Sequence, residues 1–161
     1  YKLKTLMYYL NFSNELFPVL DVTGGVEESR LESSSLELHL DELVSEVDEM
    51  MHTIHRTYGE TSEVKDLDMT YLHLMGRHYI RTGEYEKGVR NILSLVEIAS
   101  EVRNLDYLLM GYKQMIYYDI QIGNTEEMRN YLELALNVAD ECNYHKEMGI
   151  LLRLKLSLIH I

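Results

Sequence analysis

The stretch "MGRHYIRTGEYEKG", residues 75–88, decides how the chain folds. Its apolar residues keep helical spacing through Met75, Tyr79 and Ile80, break at Gly83 and resume at Tyr85. Glycine takes a positive φ without a Cβ penalty, so Gly83 predicts a helix end and a tight turn into a second helix. The same interruption returns at Gly123. An offset of 40 residues pairs Met75 with Met115, Ile80 with Ile120, Gly83 with Gly123, Glu86 with Glu126, Ala99 with Ala139 and Glu101 with Glu141. The second turn reads "GNTEEM", in which Asn124 or Thr125 can cap the following helix. Two helices per repeat predict stacked hairpins, because one hairpin cannot bury its apolar face alone.

Outward from that stretch the same periodicity continues. Leu36, Leu40, Leu43, Val44, Val47, Met50, Met51 and Ile54 form one stripe of a helix running to about 57. Further helices are predicted near 2–17, 64–82, 84–104, 106–122, 124–143 and 145–161, and no strand pattern appears. The chain divides into an N-terminal helix with an acidic, Ser- and Gly-containing linker (1–35) and a block of helical repeats (36–161). The linker is read from "LDVTGGVEESRLESSS" at 20–35, which has paired glycines and few apolar residues. A start at Tyr1 and an apolar end, "LLRLKLSLIHI", predict that this is a segment of a longer protein.

Composition excludes several function classes. The formal charge is −12, which repels phosphate backbones, so no direct nucleic-acid contact is expected from this segment. Residues 21–68 hold 14 acids against three bases. That is read as a solvated acidic face, with a surface for a basic partner as the alternative. One cysteine, Cys142, rules out an internal disulfide framework and suits a cytoplasmic, reducing setting. No apolar run reaches the roughly 18 residues of a membrane span.

The opening stretch resembles the tetratricopeptide repeat. Met75-Gly76, Tyr79, Gly83, Tyr85, Gly88, Ile92 and Leu95 follow that family's order of large, small and aromatic positions. A looser copy runs through Met115-Ile116, Asp119, Gly123, Thr125, Met128, Leu132 and Ala135, and a third begins at 145. Small residues at 76 and 88 let two helices approach closely, with Tyr79, Tyr85 and Ile92 filling the space between. The period of 40 exceeds the usual 34, and Ile116 and Met128 in place of the glycines imply a wider second hairpin. The resemblance implies an all-α fold, a right-handed superhelix of antiparallel hairpins with about seven helices. Long-helix repeats of this kind are similar to those of bacterial peptide-sensing transcription regulators of the Rgg and PlcR type. That likeness implies a cytoplasmic sensory domain with a peptide or protein segment as ligand.

In stacked hairpins the first helix of each pair lines the concave side. Taken as 69–83, 107–122 and 148–161, the first helices hold one acid, Asp119, against Arg77, Arg81, Lys113, Arg153 and Lys155. The second helices, 84–104 and 124–143, hold nine acids and four bases. Projecting the repeat's concave positions gives His73, Arg77, Ile80 and Arg81, then Lys113, Gln114, Tyr117, Ile120 and Gln121, then Arg153 and His160. Guanidinium forks take carboxylates, amides take main-chain groups, and aromatic rings supply apolar area, which together suit a peptide. The alternative is solvated cations balancing nearby acids.

No catalytic constellation, metal site or cofactor is expected. Glu49, His52 and His55 stand three apart on a helix but lack the i, i+4 histidines of zinc helices. Cys142 and His145 have no base, orienting group or second ligand pair. Gly24-Gly25 lies in no phosphate-loop pattern, and the nine methionines at helical spacing are read as core. A structural module that self-associates, giving a homodimer, is the rival to peptide capture, through Leu151, Leu152, Leu154, Leu156 and Leu158 of the last helix.

Overall fold

A computed structural model describes the backbone over residues 28–159 and the side chains over 41–159. Among the described residues six helices follow in order: α1 Glu28–Tyr58, α2 Ser62–Arg81, α3 Tyr85–Val102, α4 Leu105–Ile122, α5 Thr125–Glu141 and α6 His145–Ile159. There is no strand among the described residues. The helix expected at 2–17, the linker up to residue 27 and His160 lie outside the described residues. The start of α1 differs from the expected 36, since residues 28–35 are helical. Glu, Arg and Leu are good helix formers, and serine costs only a few tenths of a kcal/mol, so a serine run is not the stop that Gly or Pro would be.

The predicted turns form as expected. Gly83 (φ 85°) and Gly123 (φ 73°) adopt the left-handed conformation. At the first, Glu84 N–H donates to Tyr79 O (2.8 Å) and Gly83 N–H to Ile80 O (3.3 Å). At the second, Asn124 N–H donates to Asp119 O (2.9 Å) and Gly123 N–H to Ile120 O (3.3 Å). These paired bonds satisfy carbonyls that a helix end leaves open. Asn124 then caps α5, its side chain accepting from Glu127 N–H at 3.3 Å.

The chain divides into two compact units, Tyr1–Leu74 and Met75–Ile161. In the first, Val44, Val47 and Met51 of α1 and Val64 and Met69 of α2 are buried. Tyr71 of α2 donates its hydroxyl to the Asp48 carboxylate of α1.

In the second unit consecutive helices pack on each other, α3 on α4, α4 on α5 and α5 on α6. The buried stripe of α3 is Gly88, Ile92, Leu95 and Ala99. At the same positions 40 residues later, Met128, Leu132, Ala135 and Ala139 are buried on α5. The two hairpins thus present one pattern to their cores. Gly76 and Gly88 mark where α2 and α3 come closest. A Cβ added at Gly88 would stand 2.9 Å from Ile80 N and 3.0 Å from Gly76 O, which is backbone that cannot step aside. One added at Gly76 would strike Ile92 Cδ1 at 2.4 Å. In the second hairpin Ile116 and Met128 occupy these positions and are buried.

Helical glycines in open space behave oppositely. Gly149 of α6 has nothing within 4 Å of an added Cβ. Gly149→Ala is therefore expected to stabilise by about 0.5–1 kcal/mol through helix propensity. Gly88→Ala should instead destabilise by about 1–3 kcal/mol, overpacking outweighing propensity. Urea melts of the two variants check the opposite signs; a gain at both positions would remove the close-approach reading.

Candidate functional site

The face predicted to take a ligand is built chiefly on α4. Lys113, Tyr117, Ile120 and Gln121 recur at i, i+4, i+7 and i+8, which places them on one side of a helix. Tyr117 (39% exposed), Ile120 (46%) and Gln121 are open to solvent, while Lys113 and Gln114 are half-buried. Both neighbouring first helices reach this face. Arg81, at the end of α2, sets its guanidinium carbon 5.9 Å from the centroid of the Tyr117 ring, within cation–π range. Lys113 Nζ donates to Glu147 Oε2 of α6 at 2.9 Å. Both contacts step across an intervening helix, α2 to α4 past α3 and α4 to α6 past α5.

The remaining candidates divide. Arg77 is half-buried, and its Nε atom is buried. Arg153 is exposed on α6. Lys155, two residues further, pairs with Glu133 of α5 at 2.6 Å, on the side of α6 that meets α5. His73 belongs to the first unit and is half-buried there.

The charge segregation seen in sequence is weaker with the observed helix bounds. Helix α2 includes Glu63, Asp66 and Asp68, α4 includes Asp106, and α6 includes Glu147. With Asp119 the first helices therefore hold six acids against seven bases (Lys65, Arg77, Arg81, Lys113, Lys146, Arg153, Lys155). Starting α2 at 69, α4 at 107 and α6 at 148 left these N-terminal acids out. The cations lie toward the C-terminal parts of α2 and α6, where Arg77, Arg81, Arg153 and Lys155 stand.

The apolar stripe of the last helix also divides. Leu151 and Leu158 are buried against the chain, so they are not available to a partner. Leu152 (44% exposed) and Leu156 (62%) face outward, joined by Ile159 (68%).

A second polar feature lies between α4 and α5, and sequence reading missed it. Asp119 is 2% exposed, and its Oδ2 has no hydrogen-bond partner. Burial chiefly, and then the charge of Glu127, push its carboxyl up to about 6. Burial and the charges of Asp119 and Glu127 also raise the Tyr131 hydroxyl, whose ring lies 6.1 Å from that of Tyr112. Asp119 stands where the first repeat has Tyr79, a departure visible in the alignment of the two copies but without an evident packing meaning there.

Along α1, depressions of about 390 and 480 Å³ are lined, among the described residues, by Asp41, Glu42, Glu46, Glu49 and their neighbours on that helix. They are open furrows on an acidic helix rather than enclosing cavities. No described helix is long and apolar enough to cross a membrane. Comparison with known proteins finds no matching family model, no similar curated protein and no similar solved structure.

The carboxyl of Asp119 makes stability depend on pH in a definite direction. Its native pKa lies above the ordinary value of 3.8, so between about 4 and 6 the native state binds more protons than the unfolded state. The ionised form penalises the fold fully above pH 6, and the penalty fades toward pH 4. Asp119→Asn should therefore stabilise by on the order of 2 kcal/mol at pH 7.5 and by almost nothing near pH 4. Denaturant melts across that range check it; a difference that stays constant with pH contradicts the assignment.

Proposed function

We propose that this chain is a non-enzymatic, tetratricopeptide-like module that captures a peptide or protein segment along the first helices α2, α4 and α6. The observation that carries the reading is the open side of α4. There Tyr117, Ile120 and Gln121 are exposed, with Arg81 at one edge and Lys113 at the other. Such a surface offers aromatic area, an amide for main-chain groups and cations for carboxylates, which an extended peptide can use together. Stacking of alternate helices is supported by the Arg81–Tyr117 and Lys113–Glu147 contacts, each of which skips one helix; the right-handed superhelix comes from the resemblance to tetratricopeptide repeats. Lys113 already holds a carboxylate, Glu147, so an acidic ligand group would replace an internal partner there rather than meet a bare cation. Likeness to peptide-sensing regulators extends the proposal to a bacterial, cytoplasmic signalling protein that controls transcription, with the nucleic acid contacted elsewhere than on this acidic segment.

Peptides of 15 residues selected from a displayed random library give a ligand with which to test it. Tyr117→Ala and Arg81→Glu are expected to weaken the selected peptide at least about tenfold by calorimetry, the loss of about 1.4 kcal/mol or more. Arg129→Glu, on the exposed side of α5, should leave it unchanged. Equal affinity across all three variants would remove α4 as the binding face.

The rival reading, self-association as a structural module, has its own observation in the outward row Leu152, Leu156 and Ile159. These three recur at i, i+4 and i+7 on one edge of α6. If that row joins two copies, light scattering should show a dimer that Leu156→Glu converts to monomer. A wild-type monomer at high protein concentration rejects this rival.

A further inference from the structure

The first unit holds a cluster that peptide capture does not use. The last turn of α1 carries His55, the connection after it carries Glu60, and the second turn of α2 carries Asp68. Gly59, with φ 65° and its N–H donating to His55 O at 3.0 Å, reverses the chain and sets these three residues together. Asp68 Oδ1 lies 2.6 Å from His55 Nε2, and Glu60 Oε1 lies 3.4 Å from His55 Nδ1. One ligand atom from each of the three lies within 4.8 Å of the other two. The sequence pattern had drawn attention to His55 together with Glu49 and His52, but the fold gives His55 other neighbours.

We propose that His55, Glu60 and Asp68 form a binding site for a divalent cation of the zinc class. One imidazole and two carboxylates supply three N and O donors, the usual number at zinc sites that keep one position for water. Donors around a tetrahedral zinc stand roughly 3.4 Å apart for bond lengths of about 2.1 Å. Asp68 approaches Nε2 and Glu60 approaches Nδ1, so an ion held through Nε2 requires the Asp68–His55 contact to open and Glu60 to swing around the ring edge toward it. Those motions match the burial: Asp68 is buried and fixed, His55 is half-buried, and Glu60 is exposed (70% of its side chain) on a short connection. An imidazole donor favours zinc-class ions over magnesium or calcium, which prefer oxygen alone. Charge favours entry as well, since the described residues 41–68 hold nine acids against two bases. A bound ion would clip the end of α1, the connection and α2 at one point. It would stabilise the first unit in proportion to its occupancy.

The test uses the full chain stripped with a chelator and titrated with zinc chloride in a calorimeter, with thermal melts alongside. One zinc per chain is expected, with a rise in melting temperature that magnesium chloride does not reproduce. Asp68→Asn and His55→Gln should each weaken uptake at least tenfold, with circular dichroism confirming that each variant folds. Glu60→Gln, exposed and therefore safe for folding, should weaken it several-fold. The chain has seven histidines and one cysteine that could take zinc adventitiously. The doubly substituted Cys142→Ser, His145→Ala protein should therefore keep full uptake, and the imidazole NMR signals of His55 should be the ones that move. No uptake by wild type, undiminished uptake in Glu60→Gln together with Asp68→Asn, or loss of uptake in the Cys142/His145 control would each overturn the site.

Discussion

A left-handed residue closes one helix after another at intervals of 20. Gly83, Arg103, Gly123 and Asn143 all take positive φ. At every one of them two backbone N–H groups fold back on the helix just ended. Asn104 N–H reaches Ala99 O and Tyr144 N–H reaches Ala139 O, both at 2.9 Å, as Glu84 and Asn124 do at the glycine turns. Equal spacing makes equal helices, 18, 18 and 17 residues for α3, α4 and α5. Helices of one length can align their buried stripes from end to end, which is how Ile92, Leu95 and Ala99 come to match Leu132, Ala135 and Ala139. A left-handed non-glycine residue costs about 1–2 kcal/mol. The two backbone bonds at each end, and the burial that the register permits, offset that strain at Arg103 and Asn143.

Half of this rhythm was legible in the sequence. Gly83 and Gly123 announce themselves because glycine is the residue that a positive φ favours. Arg103 does not, since arginine has no preference for that region, and its turn follows from packing on both sides. The two-helix period of 40 could therefore be read, while the one-helix period of 20 could not. Helix bodies were legible to within a few residues, but the charge argument depended on their ends. Acidic residues collect in first turns, as Asp106 and Glu147 do, because they favour the positive end of the helix dipole. Trimming a helix by two or three residues therefore removes acids selectively and exaggerates a basic face. The partners of His55 were hidden for a different reason. Glu60 and Asp68 reach it only through the reversal at Gly59, and spacing along a single helix gives no sign of that.

Electrostatics in the second unit is mostly local exchange rather than a long basic channel. Lys87 pairs with Glu84, Arg90 with Glu86, Lys155 with Glu133 and Lys113 with Glu147. The first three are exposed pairs that contribute about 0–1 kcal/mol each, so they can be given up at little cost. The Lys113–Glu147 pair differs in joining two first helices on the proposed binding face. A ligand carboxylate that took Lys113 would release Glu147 and so alter a link between α4 and α6. Peptide capture on that face would then act on helix stacking as well as on affinity, which a sensor requires and a passive scaffold does not.

The two hairpins use one plan with different chemistry at its centre. In the first, Gly76 and Gly88 bring backbone against backbone, and Ile92, fully buried, fills the remaining space. In the second, side chains at Ile116 and Met128 take the place of those glycines, and Asp119 replaces the aromatic residue of the first copy. A buried carboxylate oxygen without a partner weakens the pair of helices that holds it, since its desolvation is uncompensated. The same helix, α4, presents Tyr117 and Ile120 outward one turn away. One helix thus carries both an open apolar face and an inner carboxylate oxygen without a partner. Local opening of a fold begins where burial contributes least; α4, packed on both α3 and α5, instead holds its unsatisfied carboxylate in place through the burial around it.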